Sequence, residues 1–247
     1  MLHYRIEGEG ETIVFLHGFM ESMSMWEYLS LQELKFQKVF IDLPGHGNSE
    51  LNADFGAPSM QYYLNEVMRV INHLKIKKFS VIGHSMGGYV ALLLKEQLLG
   101  CGKVVLLNSN FWSDSEQKKK DRVRIADIAF KAKRILIQES IPNLFGNPTD
   151  FQIEIEKLKS EAIQMSSESI AYASLAMRER DDFSDSLRLN KDDYFIIHGV
   201  NDRLVQTEEI QSKLGDTKQL FLIENAGHMV HIENPIVLLR IFENVFI

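Results

Sequence analysis

The chain has 247 residues, 45% hydrophobic and 25% charged, which is enough for one large domain with a substantial buried core. Its formal net charge of −7 argues against a general affinity for nucleic acid or an anionic membrane surface. A single cysteine, Cys101, leaves no intramolecular disulfide, and no window reaches the roughly 18 apolar residues of a membrane helix. The first residues, Met1-Leu2-His3-Tyr4-Arg5-Ile6-Glu7, carry neither a long apolar region nor a small-residue cleavage site, so the cytoplasm is the expected location.

Apolar runs and helical patterns then alternate. Residues 2–7, followed by Gly8-Glu9-Gly10-Glu11, predict an antiparallel edge strand turning into a first core strand over 12–16. Further strands are predicted over 38–43, 79–82, 103–108, 194–198 and 219–223, and helices over 25–34, 59–74, 86–99, 207–214 and 235–246. Cys101 falls in the helix-to-strand connection before 103, which predicts an inert thiol. Such alternation predicts an α/β fold: a mostly parallel central sheet with helices on both faces. Residues 111–190 break the rhythm with helical patterning, charge and no clear strand. They predict a helical cap inserted into a core formed by 1–110 and 191–247. Ser113 reads as the N-cap of its first helix with Glu116 completing a capping box, and Ile155, Leu158, Ala162 and Met165 fall at helical spacing.

Gly83-His84-Ser85-Met86-Gly87 sits between the strand ending at Ile82 and the helix running on through Tyr89. Three fixed residues at ordinary frequencies recur by chance about 0.08 times in a chain this long, so the surrounding strand and helix carry the argument. A Gly-x-Ser-x-Gly in that setting is a nucleophile elbow, a turn so sharp that positions two before and two after the serine must lack a Cβ. Gly83 and Gly87 meet that demand, and Gly88 leaves room for helix–strand packing. The expected result is a Ser85 hydroxyl held above the sheet.

Four segments together make the chain resemble the α/β-hydrolase fold family over nearly its whole length outside the insertion. They are His17-Gly18-Phe19, the stretch from Asp42 to Ser49, the elbow, and the late pair ending in Asp202 and His228 (Gly199-Val200-Asn201-Asp202 and Asn225-Ala226-Gly227-His228). A serine hydroxyl needs a base within hydrogen-bond reach, and that base needs a carboxylate to hold its tautomer. The family order of serine, acid, then histidine implies Ser85, Asp202 and His228. His198 and His231 are rivals for the base, and Asp114, in a charged and solvated helix start, for the acid. The resemblance implies an oxyanion hole from the main-chain N–H groups of Phe19 and Met86, and makes His17, His84 and the Asp42–Gly47 corner structural.

Ester hydrolysis through an acyl-enzyme is the function the resemblance implies, with a small-molecule ester as substrate and neither nucleic acid nor membrane as partner. Relatives that use an aspartate or a cysteine at the elbow are excluded by Ser85. Two alternatives share the triad. One is a cofactor-free lyase or carbon–carbon bond hydrolase, similar to the menaquinone-pathway synthase, in which the triad abstracts a proton. The other is a ligand-binding receptor with a slow triad. Phe111 and Trp112, with Phe130, Phe145 and Tyr172, are candidates for an apolar acyl pocket, or equally for the core of the insertion. The run Lys118-Lys119-Lys120-Asp121-Arg122-Val123-Arg124 reads first as a solvated helix face and second as a site for an anionic substrate. No metal-ligand spacing and no phosphate-cradling glycine loop stands out, so no metal and no cofactor is expected, and nothing sets an oligomeric state.

Overall fold

Seven strands pair edge to edge in the computed structural model, which describes residues 1–52, 56–215 and 217–246. They are β1 (Tyr4–Glu7), β2 (Thr12–Leu16), β3 (Gln37–Ile41), β4 (Phe79–His84), β5 (Cys101–Leu107), β6 (Tyr194–Gly199) and β7 (Leu220–Ile223), in the spatial order β1-β3-β2-β4-β5-β6-β7. Only β1 runs antiparallel, against β3, as the edge strand expected from residues 2–7. Successive side chains of a strand face opposite sides, and the apolar runs supply both. Val14, Leu16, Val81, Val104, Leu106 and Ile196 enter one core layer, while Ile13, Phe15, Ile82, Val105, Leu107 and Ile197 enter the other.

Helices close both layers. The first is covered by α1 (Met60–His73), whose Ser59 caps by accepting from the Tyr62 N–H, and by α2 (Met86–Gln97), buried from Met86 to Leu94. The second is covered by the C-terminal helix Pro235–Phe246, through Leu238, Ile241, Phe242 and Val245. The helix expected over 25–34 is instead two short 3-10 turns, Met23–Tyr28 and Leu31–Glu33. Leu29 between them is extended (φ −106°, ψ 134°). Met23, Met25, Trp26, Leu29, Leu31 and Leu34 are all buried in the second layer, more than one face of a continuous helix could deliver. Cys101 is the first residue of β5 rather than part of a connection, and burial pushes its thiol up to about 12.

Between β5 and β6 the described residues form no strand. They fold as α3 (Glu116–Ser140), α4 (Gln152–Ala162), α5 (Ser167–Arg178) and α6 (Ser184–Leu189). Ile155, Leu158, Ala162 and Met165 pack together in a third apolar cluster, as their spacing predicts. The N-cap of α3 is Ser115, accepting from the Lys118 N–H, and not Ser113, so Glu116 cannot close a capping box. Asp114 is buried rather than solvated. Its carboxylate accepts from Arg180 Nη1 at 2.6 Å and Arg122 Nε at 3.0 Å, and the Arg180 guanidinium also lies 4.3 Å above the Tyr89 ring and donates to the Trp112 carbonyl. This network ties the end of α5 to the loop after β5 and to α2.

Two core histidines stay uncharged. His46 donates Nδ1–H to the Pro44 carbonyl, and neither ring nitrogen of His231, in a helix here numbered α7 (Val230–Glu233), has a partner among the described residues. Burial holds both down to about 3, with His17 adding to the effect on His46 and His84 to that on His231.

Arg180→Met leaves the buried Asp114 carboxylate with Arg122 alone and the Trp112 carbonyl without its donor, so it is expected to cost about 1.5–3 kcal/mol in urea denaturation. A loss within 0.5 kcal/mol, the range of an ordinary surface change, would contradict the network. In the unfolded chain His46 and His231 take protons near pH 6.5. Between there and about pH 3 the unfolded state binds more protons, so their contribution is full above pH 6.5 and lost as pH falls. Near pH 5 each ring is expected to add roughly 1.4 kcal/mol per pH unit to that loss. Denaturation midpoints of His231→Leu between pH 7 and 4.5 should show the slope reduced by one ring's share, and an unchanged slope would contradict a neutral His231.

Candidate active site

Ser85, Asp202 and His228 lie beyond the carboxyl ends of β4, β6 and β7, the usual place for a site in a parallel sheet, while His84 and His198 lie within β4 and β6 and the basic run lies on α3. Ser85 follows β4 and opens α2. Its backbone sits at φ 49°, ψ −114°, a region that costs an L-residue about 1–3 kcal/mol. The strain is held by three bonds: Ser85 N–H to the Leu107 carbonyl (3.0 Å), and the Ser85 carbonyl accepting from Gly88 N–H (3.0 Å) and Ser109 Oγ–H (2.7 Å). A Cβ on Gly83 would strike the Gly87 carbonyl, and one on Gly87 the carbonyls of Leu16 and His17. Ser85 is half-buried between the fully buried His84 and Met86.

Asp202 follows β6 and His228 follows β7, and the two meet. His228 Nδ1–H donates to Asp202 Oδ2 at 2.7 Å, with both side chains buried. The same oxygen accepts from Asn108 Nδ2 at 3.0 Å, and Oδ1 accepts from the Leu204 and Val205 N–H groups at 2.8 and 3.2 Å. Burial alone would raise the Asp202 carboxyl, but the His228 ring and its hydrogen bond, His198 and Asn108 outweigh it and hold the acid well below the carboxylate range. Asp202 is therefore a fixed negative charge. With Nδ1 committed to it, a neutral His228 ring keeps its lone pair on Nε2.

The rivals are otherwise engaged. His198 donates Nε2–H to the Val205 carbonyl at 3.1 Å, and its Nδ1 stands 3.8 Å from Asp202, too far for a hydrogen bond. His231 is enclosed beside the rings of Trp26, Tyr28 and His84. Asp114 is spent on two arginines. His17 donates Nδ1–H to the Gly18 carbonyl and accepts the Leu43 N–H on Nε2, which fixes it as a neutral strut between the loops after β2 and β3. In the corner after β3, Asp42 accepts from the Met23 and Asn48 N–H groups and from His3. Gly47 there, at φ 53°, has no room for a Cβ against the Asp42 carboxylate.

Met86 is the first residue of α2, where a helical N–H has no intrahelical acceptor. Phe19 lies half-buried in the loop after β2, between Gly18 and Met20, which takes a positive φ of 62°. Phe111 and Trp112 pack edge to face, at 5.0 Å, within the first core layer beside Tyr172 and Met177, and Lys213 Nζ lies over the Trp112 ring. Phe145 stacks on Phe151 between β5 and β6, and Phe130 is exposed. Of the basic run on α3, Arg122 pairs with Asp114, Lys118 donates to the Leu204 carbonyl and Lys119 pairs with Glu116. A cavity of about 980 Å³ opens between the loops after β2 and β3 and residues 161–169, and neither Ser85 nor His228 lines it.

Three polar residues around the site carry no motif. Asn108 (φ 44°) links Asp202 to the Gly227 carbonyl, the latter at 3.0 Å. Glu233 accepts the N–H groups of Gly146, Gly227 and Met229, bracketing His228 from both sides. Glu21 lies behind the elbow against His84. Asn108 closes a strand-like run and Glu233 opens a helix-like one, so neither pattern marks them as site residues. Among the described residues no group of three or more His, Cys, Asp or Glu side chains could hold a metal ion, and no helix is long and apolar enough to cross a membrane.

A hydrolase of Bacillus subtilis described as uncharacterized is 29% identical over 94% of this chain and 88% of its own length. A 2-succinyl-6-hydroxy-2,4-cyclohexadiene-1-carboxylate synthase of Citrobacter koseri is 25% identical over 90% and 88%. The solved structure of a thermophilic esterase from Thermogutta terrifontis, with malate bound, matches at a TM-score of 0.88 and 26% identity, covering 98% of this chain and 92% of that one. The model of the Alpha/beta hydrolase family matches residues 13–240, and the chain belongs to that family.

Proposed function

We propose that this protein hydrolyses a small carboxylic ester through an acyl-enzyme, with 111–190 as a cap over a core of 1–110 and 191–247. The observation that carries the reading is the 2.7 Å bond from His228 Nδ1–H to an ionised, buried Asp202, downstream of a serine in a strained elbow. Ser85 Oγ attacks the ester carbonyl while His228 Nε2 takes its proton. The negative charge that forms on the carbonyl oxygen is met by the N–H groups of Met86 and Phe19. Collapse returns the proton from His228 to the departing alcohol and leaves Ser85 acylated. Water then gives a proton to His228 and attacks the acyl carbon, and collapse releases the acid as His228 hands that proton to Ser85 Oγ, restoring both. Similarity to a solved esterase at 26% identity supports this chemistry. The buried, unreactive Cys101 accords with a cytoplasmic setting.

The synthase relative favours a second reading, in which Ser85 and His228 together abstract a proton from a small acidic substrate and no acyl-enzyme forms. The two differ in whether simple esters turn over.

Intact mass after treatment with a fluorophosphonate is expected to show one adduct on the wild type and none on Ser85→Ala. In the same variant, turnover of a short p-nitrophenyl ester should fall by at least about 10³-fold with the thermal midpoint retained. Wild-type turnover by Ser85→Ala would refute the nucleophile, and labelling without ester turnover would favour the second reading. Asp202→Asn keeps the shape but supplies the wrong tautomer to His228, so kcat is expected to drop on the order of 10⁴-fold. A drop below tenfold would remove Asp202 from the mechanism.

A further inference from the structure

His84, between the elbow's first glycine and its serine, is fully buried and bonded on both ring nitrogens. Nδ1 is 2.9 Å from Glu21 Oε2, and Nε2 is 2.9 Å from the main-chain carbonyl of His228. A carbonyl oxygen only accepts, and an ionised carboxylate only accepts, so both nitrogens must carry hydrogen. Two N–H groups on one imidazole make it an imidazolium.

Glu21 supplies the opposite charge and a second link. Its Oε2 also accepts the Gly18 N–H at 2.7 Å, immediately before Phe19. A Cβ on Gly18 would lie 2.6 Å from Glu21 Oε2 and 2.8 Å from His84 Nδ1, so the loop after β2 rests directly on the pair. One chain of hydrogen bonds thus runs from Gly18 through Glu21 and His84 to the carbonyl of His228. It joins the loop after β2, the elbow and the loop after β7.

We propose that Glu21 and His84 form a permanently charged clamp that positions the Phe19 N–H and the His228 ring around Ser85, an assignment that rests on the triad reading above. His84 is a positioning residue in this scheme, acting through the His228 main chain and not on substrate. Its proton is what allows it to bond both ways. A neutral ring would donate to one neighbour and turn a lone pair toward the other's oxygen.

The groups facing His84 sort accordingly. From the loop after β2 come Glu21, which favours the charge, and His17, a neutral strut. From the loop after β6 comes Asp202, which also favours it. His228 offers its carbonyl, with its ring centroid 5.0 Å away, and His231, 5.2 Å away, is held neutral by burial. Burial opposes the charge on His84, yet Glu21 and the two hydrogen bonds prevail and its pKa stands above the ordinary histidine value. Glu21 is pulled down to about 2 against its own burial, mainly by His84.

The test uses 15N-histidine-labelled full-length protein and the variant Glu21→Gln, whose amide oxygen can still accept from Gly18 but carries no charge. Long-range 1H–15N spectra, with His84 assigned through His84→Gln, are expected to show both ring nitrogens protonated in the wild type at pH 7.5 and one in Glu21→Gln. The rate of fluorophosphonate labelling of Ser85 in Glu21→Gln at pH 8 should be on the order of 10²-fold below wild type, the usual effect of a 1 Å misplacement. That gap should persist to pH 6, because without Glu21 burial keeps the ring neutral there as it does His231; the ring-nitrogen spectra tie the loss to the missing proton, a signature that a merely structural defect would not move. A singly protonated His84 in the wild type overturns the proposal whether or not the variant folds. Labelling of Glu21→Gln at the wild-type rate across pH overturns the positioning role. A wild type that takes no adduct overturns the triad reading, and the ring resonances then still decide the charge of His84.

Discussion

The contact between β4 and α2 is the constraint on which the rest of the structure depends. Gly83 and Gly87 approach until no Cβ fits, and the chain reverses direction within Ser85, at a backbone angle that would relax if the bonds to Leu107, Gly88 and Ser109 were absent. The bonds to Leu107 and Ser109 depend on β5 lying alongside β4 with Leu107 opposite His84. The strain at one residue is therefore borne by the parallel sheet, and a serine raised above the strands is the visible result. Every other polar group in the region is arranged around that fixed point.

Charge is handled differently on the two sides of the elbow. Toward β6 and β7, Asp202 is ionised and saturated with donors, the His228 ring among them. Toward the loop after β2, the Glu21–His84 pair carries balancing charges, and His17 and His46 are neutral struts that bond main-chain groups. Such a cluster of buried histidines costs stability in acid, and a hydrophobic replacement would pack as well. A site that must keep several loops in register has a use for directional bonds that aliphatic side chains cannot supply.

Much of this was legible in the residues. Strand positions followed from β-branched runs with both faces apolar, and the parallel order from their alternation with helices. The elbow, Asp202 and His228 stood out because glycines and a serine, an acid and a histidine recur in fixed order after strands. What escaped was set by long-range packing. The 25–34 segment has helical composition, yet it spreads into two short turns because five of its side chains are needed in one core. Asp114 sits among charges, yet Arg180, far along the chain, draws it inside. Glu21, Asn108 and Glu233 are bonded by neighbours remote in sequence, and no local pattern distinguishes them from surface residues.

Residues 144–146 also reach into the loop that carries His228. The N–H of His228 donates to the carbonyl of Leu144 at 2.7 Å, and Glu233 grips Gly146 and Gly227 with its two carboxylate oxygens. Residues 144–146 and 227–228 are thereby one mechanical unit, although they belong to different parts of the chain. Any movement that lifts 144–146 from the core must first strip the main chain of His228 of that bond and uncover a carboxylate. Lifting 144–146 would therefore pull on the main chain of the same residue whose ring bonds Asp202, so the position of that stretch and the aim of the imidazole are mechanically coupled.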